Sequence, residues 1–124
     1  MSKKIALVGH CGPDSSFLRL AVSKADRSAK VVSADDTSEL DTVLKNGVNL
    51  LLLNREMPYG FGMSSGVEVI KMLKPLHPNV KFMLVSNYPD AQQDAEQAGA
   101  MKGFGKREIG GPKVGEVIRA ALGE

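Results

Sequence analysis

The segment Val48–Leu53, VNLLLL, is the strongest constraint on what this chain can become. A run this continuously apolar and this short is too brief for an independent helix. It fits a central parallel strand covered on both faces. Four other runs have the same punctuation: Ile5–Val8, Lys30–Ser33, Val80–Val85 and a weaker one at Met101–Lys106. Between them the apolar period becomes helical. Val114, Val117, Ile118, Ala121 and Leu122 share one face, as do Leu40, Val43 and Leu44, and Val69, Ile70, Leu73 and Leu76. Asp36 with Glu39 and Ser65 with Glu68 have capping-box spacing, Pro112 suits a first helical turn, and Gly47 and Gly99 suit C-terminal caps.

Five strands alternating with five helices predict an α/β fold, (βα)5, with a doubly wound five-stranded parallel sheet. With the richest strand third, the expected order is 2-1-3-4-5, and the switch-point crevice opens between the C-terminal ends of strands one and three. Any site should therefore be built from the loops after Val8 and Leu53. The 124 residues suit one core and one domain spanning 1–124. Lys and Arg number 16 against 14 Asp and Glu, spread along the chain, which argues against nucleic-acid and membrane partners. The single cysteine, Cys11, cannot form an internal disulfide, and Ile5–Val8 is too short for a signal peptide or a membrane span, so a cytoplasmic location is expected.

From KKIALV through NLLLLNREMP, SGVEVIKMLK and FMLVSN to AGAMKGFGK, the chain resembles the receiver domains of bacterial two-component response regulators, whose fold is flavodoxin-like. The stretch Asn49–Pro58 carries the resemblance most specifically: an apolar strand, one polar residue, two variable positions and Met-Pro. In that family the polar residue is a phosphate-accepting aspartate, but here it is Asn54, whose amide is a poor nucleophile. Where the family follows its first strand with two magnesium-holding acids, this chain has Gly9 and His10. Magnesium needs hard oxygen ligands, and neither residue supplies one. The resemblance thus implies a degenerate phosphoacceptor pocket of Asn54, Gly9, His10, Glu56, Ser86 and Lys106, with no metal and no cofactor. Ser86 takes the position of the family's phosphate-sensing hydroxyl, and Lys106 that of its pocket lysine. An alternative register puts Arg107 in the pocket; under the Lys106 register, Gly103 takes the place of the signalling aromatic.

Each of these residues also has a structural reading. Asn54 suits a turn after strand three, Asp36 a helix cap, and Asp14 a favourable charge in a first helical turn. Glu56 is expected to approach the pocket and pair with Lys106 or Arg107. His10 and Cys11 lack a third group for nucleophilic catalysis, and with His77 they match no zinc pattern. No catalytic residues are nominated. The loop Tyr59–Gly66, YGFGMSSG, lacks the P-loop lysine and is expected to be a mobile surface loop carrying Tyr59, Phe61 and Met63, with partner contact as a second possibility.

The functional expectation is a phosphorylation-independent protein-interaction module in bacterial signalling, with no enzymatic activity. Its partner would be a sensor kinase or an output protein, and it would act as a monomer or homodimer. By resemblance the partner-binding face comprises Pro89–Ala98, Met101–Lys106 and Pro112–Leu122, including Phe104 and Val114. No output segment follows Glu124, so either a partner carries the output or the domain belongs to a longer protein. Two other functions compete: a phosphorelay receiver using Asp14, Asp36 or His10 as acceptor, and a sensor of small anionic ligands using the crevice.

Overall fold

The computed structural model describes residues 2–123, and for Tyr59 the backbone alone. The chain end at Glu124 and the Tyr59 side chain lie outside the described residues. Five parallel strands form one sheet: β1 (Lys4–Val8), β2 (Lys30–Ala34), β3 (Leu50–Asn54), β4 (Lys81–Val85) and β5 (Met101–Phe104). Their order is β2-β1-β3-β4-β5, the order expected from the strand composition. The helices are α1 (Gly12–Ala25), α2 (Thr37–Asn46), α3 (Gly66–Leu73), α4 (Pro89–Gln97) and α5 (Pro112–Ala121).

The sheet separates two cores, because successive strand residues point to opposite faces. Leu50 and Leu52 join Ile5, Leu7, Met83 and Val85 beneath α1 and α5. Leu51 and Leu53 join Ala6, Val8, Phe82 and Leu84 beneath α2, α3 and α4. All four β3 leucines are fully buried, which is why this strand reads as unbroken apolar sequence. Burying a side chain of that size contributes roughly 1.5–3 kcal/mol against the entropy of ordering the chain.

The helix ends follow the local chemistry. Asp36 Oδ1 accepts the Glu39 N–H at 2.8 Å, while the Glu39 carboxylate accepts the Asp35 N–H at 2.7 Å. Ser65 Oγ accepts the Glu68 N–H at 3.2 Å. Gly47 (φ 93°) and Gly99 (φ 109°) adopt the left-handed conformations that end α2 and α4. Two expectations need correction. The helical face ends at Leu73, because Pro75 has no N–H to continue α3, and Leu76 lies 69% exposed. Strand β5 ends at Phe104 and not at Lys106, because the chain folds into a 3-10 turn over Lys106–Glu108. No helix among the described residues is long and apolar enough to cross a membrane.

Candidate functional site

The loops after β1, β3 and β4 meet at the C-terminal edge of the sheet. They leave a cavity of about 290 Å³ lined by Asn54, Arg55, Glu56, Ser86, Asn87, Tyr88 and Lys106. Asn54 sits at the end of β3. Its side-chain amide donates to the Gly9 carbonyl at 3.2 Å and to the Glu56 carbonyl at 3.0 Å. Both partners are pure acceptors, which fixes the orientation of the amide. Asn54 therefore both shapes its own turn and ties the β1 loop to the β3 loop. A carboxylate could not make either bond.

Gly9 has φ 74°, and a Cβ there would fall 2.9 Å from Met57 Cε and 3.0 Å from Pro58 Cδ. A side chain at this position would strain the backbone and push Met57 and Pro58 aside. His10 is 7% exposed, and its Nε2 lies 2.8 Å from the Leu52 carbonyl oxygen, so Nε2–H is the donor and Nδ1 is left without a protein partner. Burial lowers its pKa below the usual 6.5. The Leu52 carbonyl opposes that shift, the Lys106 charge adds to it, and Asp14 opposes it. His10 is a neutral, buried group.

Of the two basic residues, Lys106 lines the crevice and Arg107 does not. The Gly105 N–H donates to Glu108 Oε1 at 2.8 Å and the Arg107 N–H to Asn87 Oδ1 at 3.1 Å, fixing the turn that presents Lys106. Lys106 does not pair with Glu56. Its Nζ lies 3.1 Å from Asp14 Oδ2 in the first turn of α1, whereas Glu56 points outward and pairs with Arg55 at 2.8 Å. The expected Glu56 contact fails because Arg55 is adjacent and Asp14 reaches the ammonium first. Partial burial by itself raises the Asp14 carboxyl. Hydrogen bonds from Lys106 and the Cys11 thiol, helped by nearby positive charge, outweigh that effect and hold it below its ordinary value.

Ser86 is 4% exposed, and its Oγ accepts the Tyr88 N–H at 3.1 Å, a local turn bond. The Arg55 guanidinium stacks 4.4 Å from the Tyr88 ring centre and closes one side of the cavity.

The position of the signalling aromatic is also closed. A Cβ on Gly103 would fall on the Leu84 carbonyl oxygen and 2.8 Å from Gln92 Oε1. Gln92 Nε2 reaches the carbonyls of Leu84, Ser86 and Phe104 at 2.9, 3.1 and 3.2 Å, tying α4 to the ends of β4 and β5. The sequence reading missed Gln92 because a glutamine in a polar helix carries no periodic signal. It also missed Met57, which fills the space beside Gly9; its place in the Met-Pro pair was the available clue.

On the expected partner face, Pro89 and Pro112 are exposed and Ala98 is half-buried, but Phe104 (1%) and Val114 (0%) are core residues. Part of the Tyr59–Gly66 loop is buried. Phe61 is 6% exposed and packs under α3, Met63 is half-buried, and the Met57 N–H donates to the Ser64 carbonyl at 3.1 Å.

Magnesium is the metal that the resemblance to receiver domains implies, and the donors here do not fit it. Glycine stands at one acid position, a buried imidazole at the second, and an amide nitrogen turned toward carbonyls at the third. Among the described residues no three His, Cys, Asp or Glu side chains converge.

No protein-family model and no curated protein matches the chain. Solved structures do. The receiver domain of a DNA-binding response regulator from Colwellia psychrerythraea 34H aligns over 99% of this chain and 100% of its own, with TM-score 0.78 and 16% identity. The response regulator RcsB of Salmonella typhimurium aligns over 99% of this chain and 61% of its own, with TM-score 0.78 and 15% identity. CheY4 of Vibrio cholerae aligns over 98% and 100%, with TM-score 0.71 and 14% identity. The class defined by the fold is the doubly wound, flavodoxin-like α/β domain. Within it, the chain has the fold of a response-regulator receiver domain.

Proposed function

We propose that this chain is a receiver scaffold that works as a protein-interaction module independently of aspartyl phosphorylation. One observation carries this reading: the Asn54 amide spends both its protons on the Gly9 and Glu56 carbonyls. The phosphoacceptor position has become a structural tie. The positive φ of Gly9 and the burial of His10 support the same reading, because an acid at the first position would strain the backbone and one at the second would be buried. The domain has no catalytic activity of its own, and its partner is a sensor kinase or output protein of a cytoplasmic signalling pathway.

Intact-protein mass after incubation with acetyl phosphate and magnesium tests this. The native chain should gain no phosphoryl adduct, with an active receiver domain modified in parallel as the positive control. A stoichiometric adduct on the native chain would overturn the proposal. Mapping that adduct to Asp14, the carboxylate held against Lys106, would identify a substitute acceptor.

A further inference from the structure

Charge that is spread along the sequence is segregated in space. Each helix runs back from the C-terminal edge of the sheet, so helix ends and strand starts share the N-terminal edge, opposite the crevice. Lys4, Lys30 and Lys81 are the first residues of β1, β2 and β4, and Lys3 precedes Lys4. Lys24, Lys45, Lys71 and Arg119 stand in the last turns of α1, α2, α3 and α5. The acids of the first turns, Asp14, Glu39, Glu68 and Asp90, lie at the other edge. So do the ion pairs Arg55–Glu56, Lys106–Asp14 and Lys113–Glu108, and none of the strand-start or helix-end cations is in an ion pair among the described residues. The acid that follows α1, Asp26, accepts the Ser28 N–H and hydroxyl at 3.0 and 2.8 Å. Helix α4 differs, with Asp94 and Glu96 near its end, so the basic surface centres on β1 and β2.

The helix macrodipole favours cations at helix C-termini and accounts for the helical ones. It does not account for the strand starts. Lys4 and Lys30 are register partners on neighbouring strands, about 4.8 Å apart, and like charges side by side weaken a sheet. At the same edge, the turn from α3 to β4 holds Leu76 out in solvent. The Leu76 and His77 N–H groups donate to the Leu73 carbonyl at 3.0 and 2.9 Å, and Pro75 and Pro78 stiffen the backbone on either side. Lys74 Nζ donates to the Pro78 and Val80 carbonyls at 3.2 and 3.0 Å and closes the turn.

We infer that this edge docks on an anionic phospholipid surface, with the lysines at the headgroup phosphates and Leu76 at the boundary with the acyl chains. The charges spread over two dimensions, across the sheet edge and out to helix ends on both of its faces. That matches a plane of charge better than the line of phosphates in a nucleic acid. The edge presents strand starts and turns, whereas a DNA groove admits a helix or a two-stranded ribbon. Lysine, a point charge on a flexible stem, suits a fluid array of headgroups, and it is depleted at the cores of protein–protein interfaces. An exposed leucine gains from an acyl boundary and nothing from a phosphate backbone. A second copy meeting the same edge would set lysine against lysine. Docked this way, the crevice faces away from the bilayer, and the contact is independent of what the crevice binds.

The test is flotation of the full chain with phosphatidylcholine vesicles prepared with and without phosphatidylglycerol. Binding to the anionic vesicles should be saturable, at least about tenfold stronger than to the neutral ones, and progressively lost with added salt. Lys30→Glu sets an opposite charge against Lys4, so urea stability should hold or rise while vesicle binding weakens by at least about fivefold. A merely structural lysine would not separate the two readouts. Leu76→Ser, at an exposed site, should weaken binding by at least about threefold. Absence of binding to anionic vesicles at low salt, equal binding to both vesicle types, or unchanged binding in Lys30→Glu or Leu76→Ser would each overturn the proposal. So would tighter binding, at the same salt, to duplex DNA or to polyglutamate, which would assign the edge to a nucleic acid or to an acidic protein.

Discussion

At the residue scale, each crevice side chain has a structural partner. The Asn54 amide donates to the Gly9 and Glu56 carbonyls. Asn54→Asp should therefore destabilise the fold by about 1–3 kcal/mol near neutral pH, since it leaves two carbonyls unpaired and sets a carboxylate beside them. Urea unfolding measures this, and a neutral or stabilising effect would contradict the tie. His10 gives a pH signature. Its folded pKa is depressed, so the unfolded chain binds the extra proton. Its contribution is full above about pH 6.5 and is lost as pH falls from there toward the folded pKa. Asp14, held below its ordinary value, keeps its charge through that window, and its own contribution is lost only as pH falls from 3.8 through its lowered folded pKa. Stability curves at pH 7.5 and 5.5 should differ in the native chain and converge in His10→Gln, whose amide retains a donor toward Leu52. The loss of the acids was legible in the sequence. The Lys106–Asp14 pair was not, because it joins residues far apart in the chain whose approach depends on the 3-10 turn at Lys106–Glu108.

At the element scale, strands and helices with strong periodicity were legible, and the polar helix was opaque. Only Ala95 of α4 is buried, so nothing in its pattern indicates that Gln92 reaches across β4 and β5. Gln92→Ala removes donation to three carbonyls and should raise amide hydrogen exchange in α4 and at the ends of β4 and β5, with little change elsewhere. A uniform change across the domain would show that the amide is not a local latch. Gly103→Ala should cost about 1–3 kcal/mol, because its methyl group meets the Leu84 carbonyl. The misjudged end of α3 has a similar origin: Leu76 continues the apolar period, but Pro75 breaks the hydrogen-bond ladder that the period presupposes.

At the scale of the whole molecule, the interior place of β3 follows from its composition, since Leu50–Leu53 are buried on both faces. Leu52→Ala should destabilise by about 2–5 kcal/mol without changing the fold. The chain has the receiver fold and a crevice at its sheet edge, and the carbonyls around that crevice are tied by the side-chain amides of Asn54 and Gln92. The most direct test of that claim follows the Asn54 side-chain amide and the backbone amides of Gly9, Ser86 and Lys106 by NMR during addition of magnesium and beryllofluoride, a phosphoryl mimic. Unchanged signals are the predicted result. Saturable shifts at Asn54 and Lys106 would show a crevice that still takes a metal and a phosphoryl group, and would contradict the account.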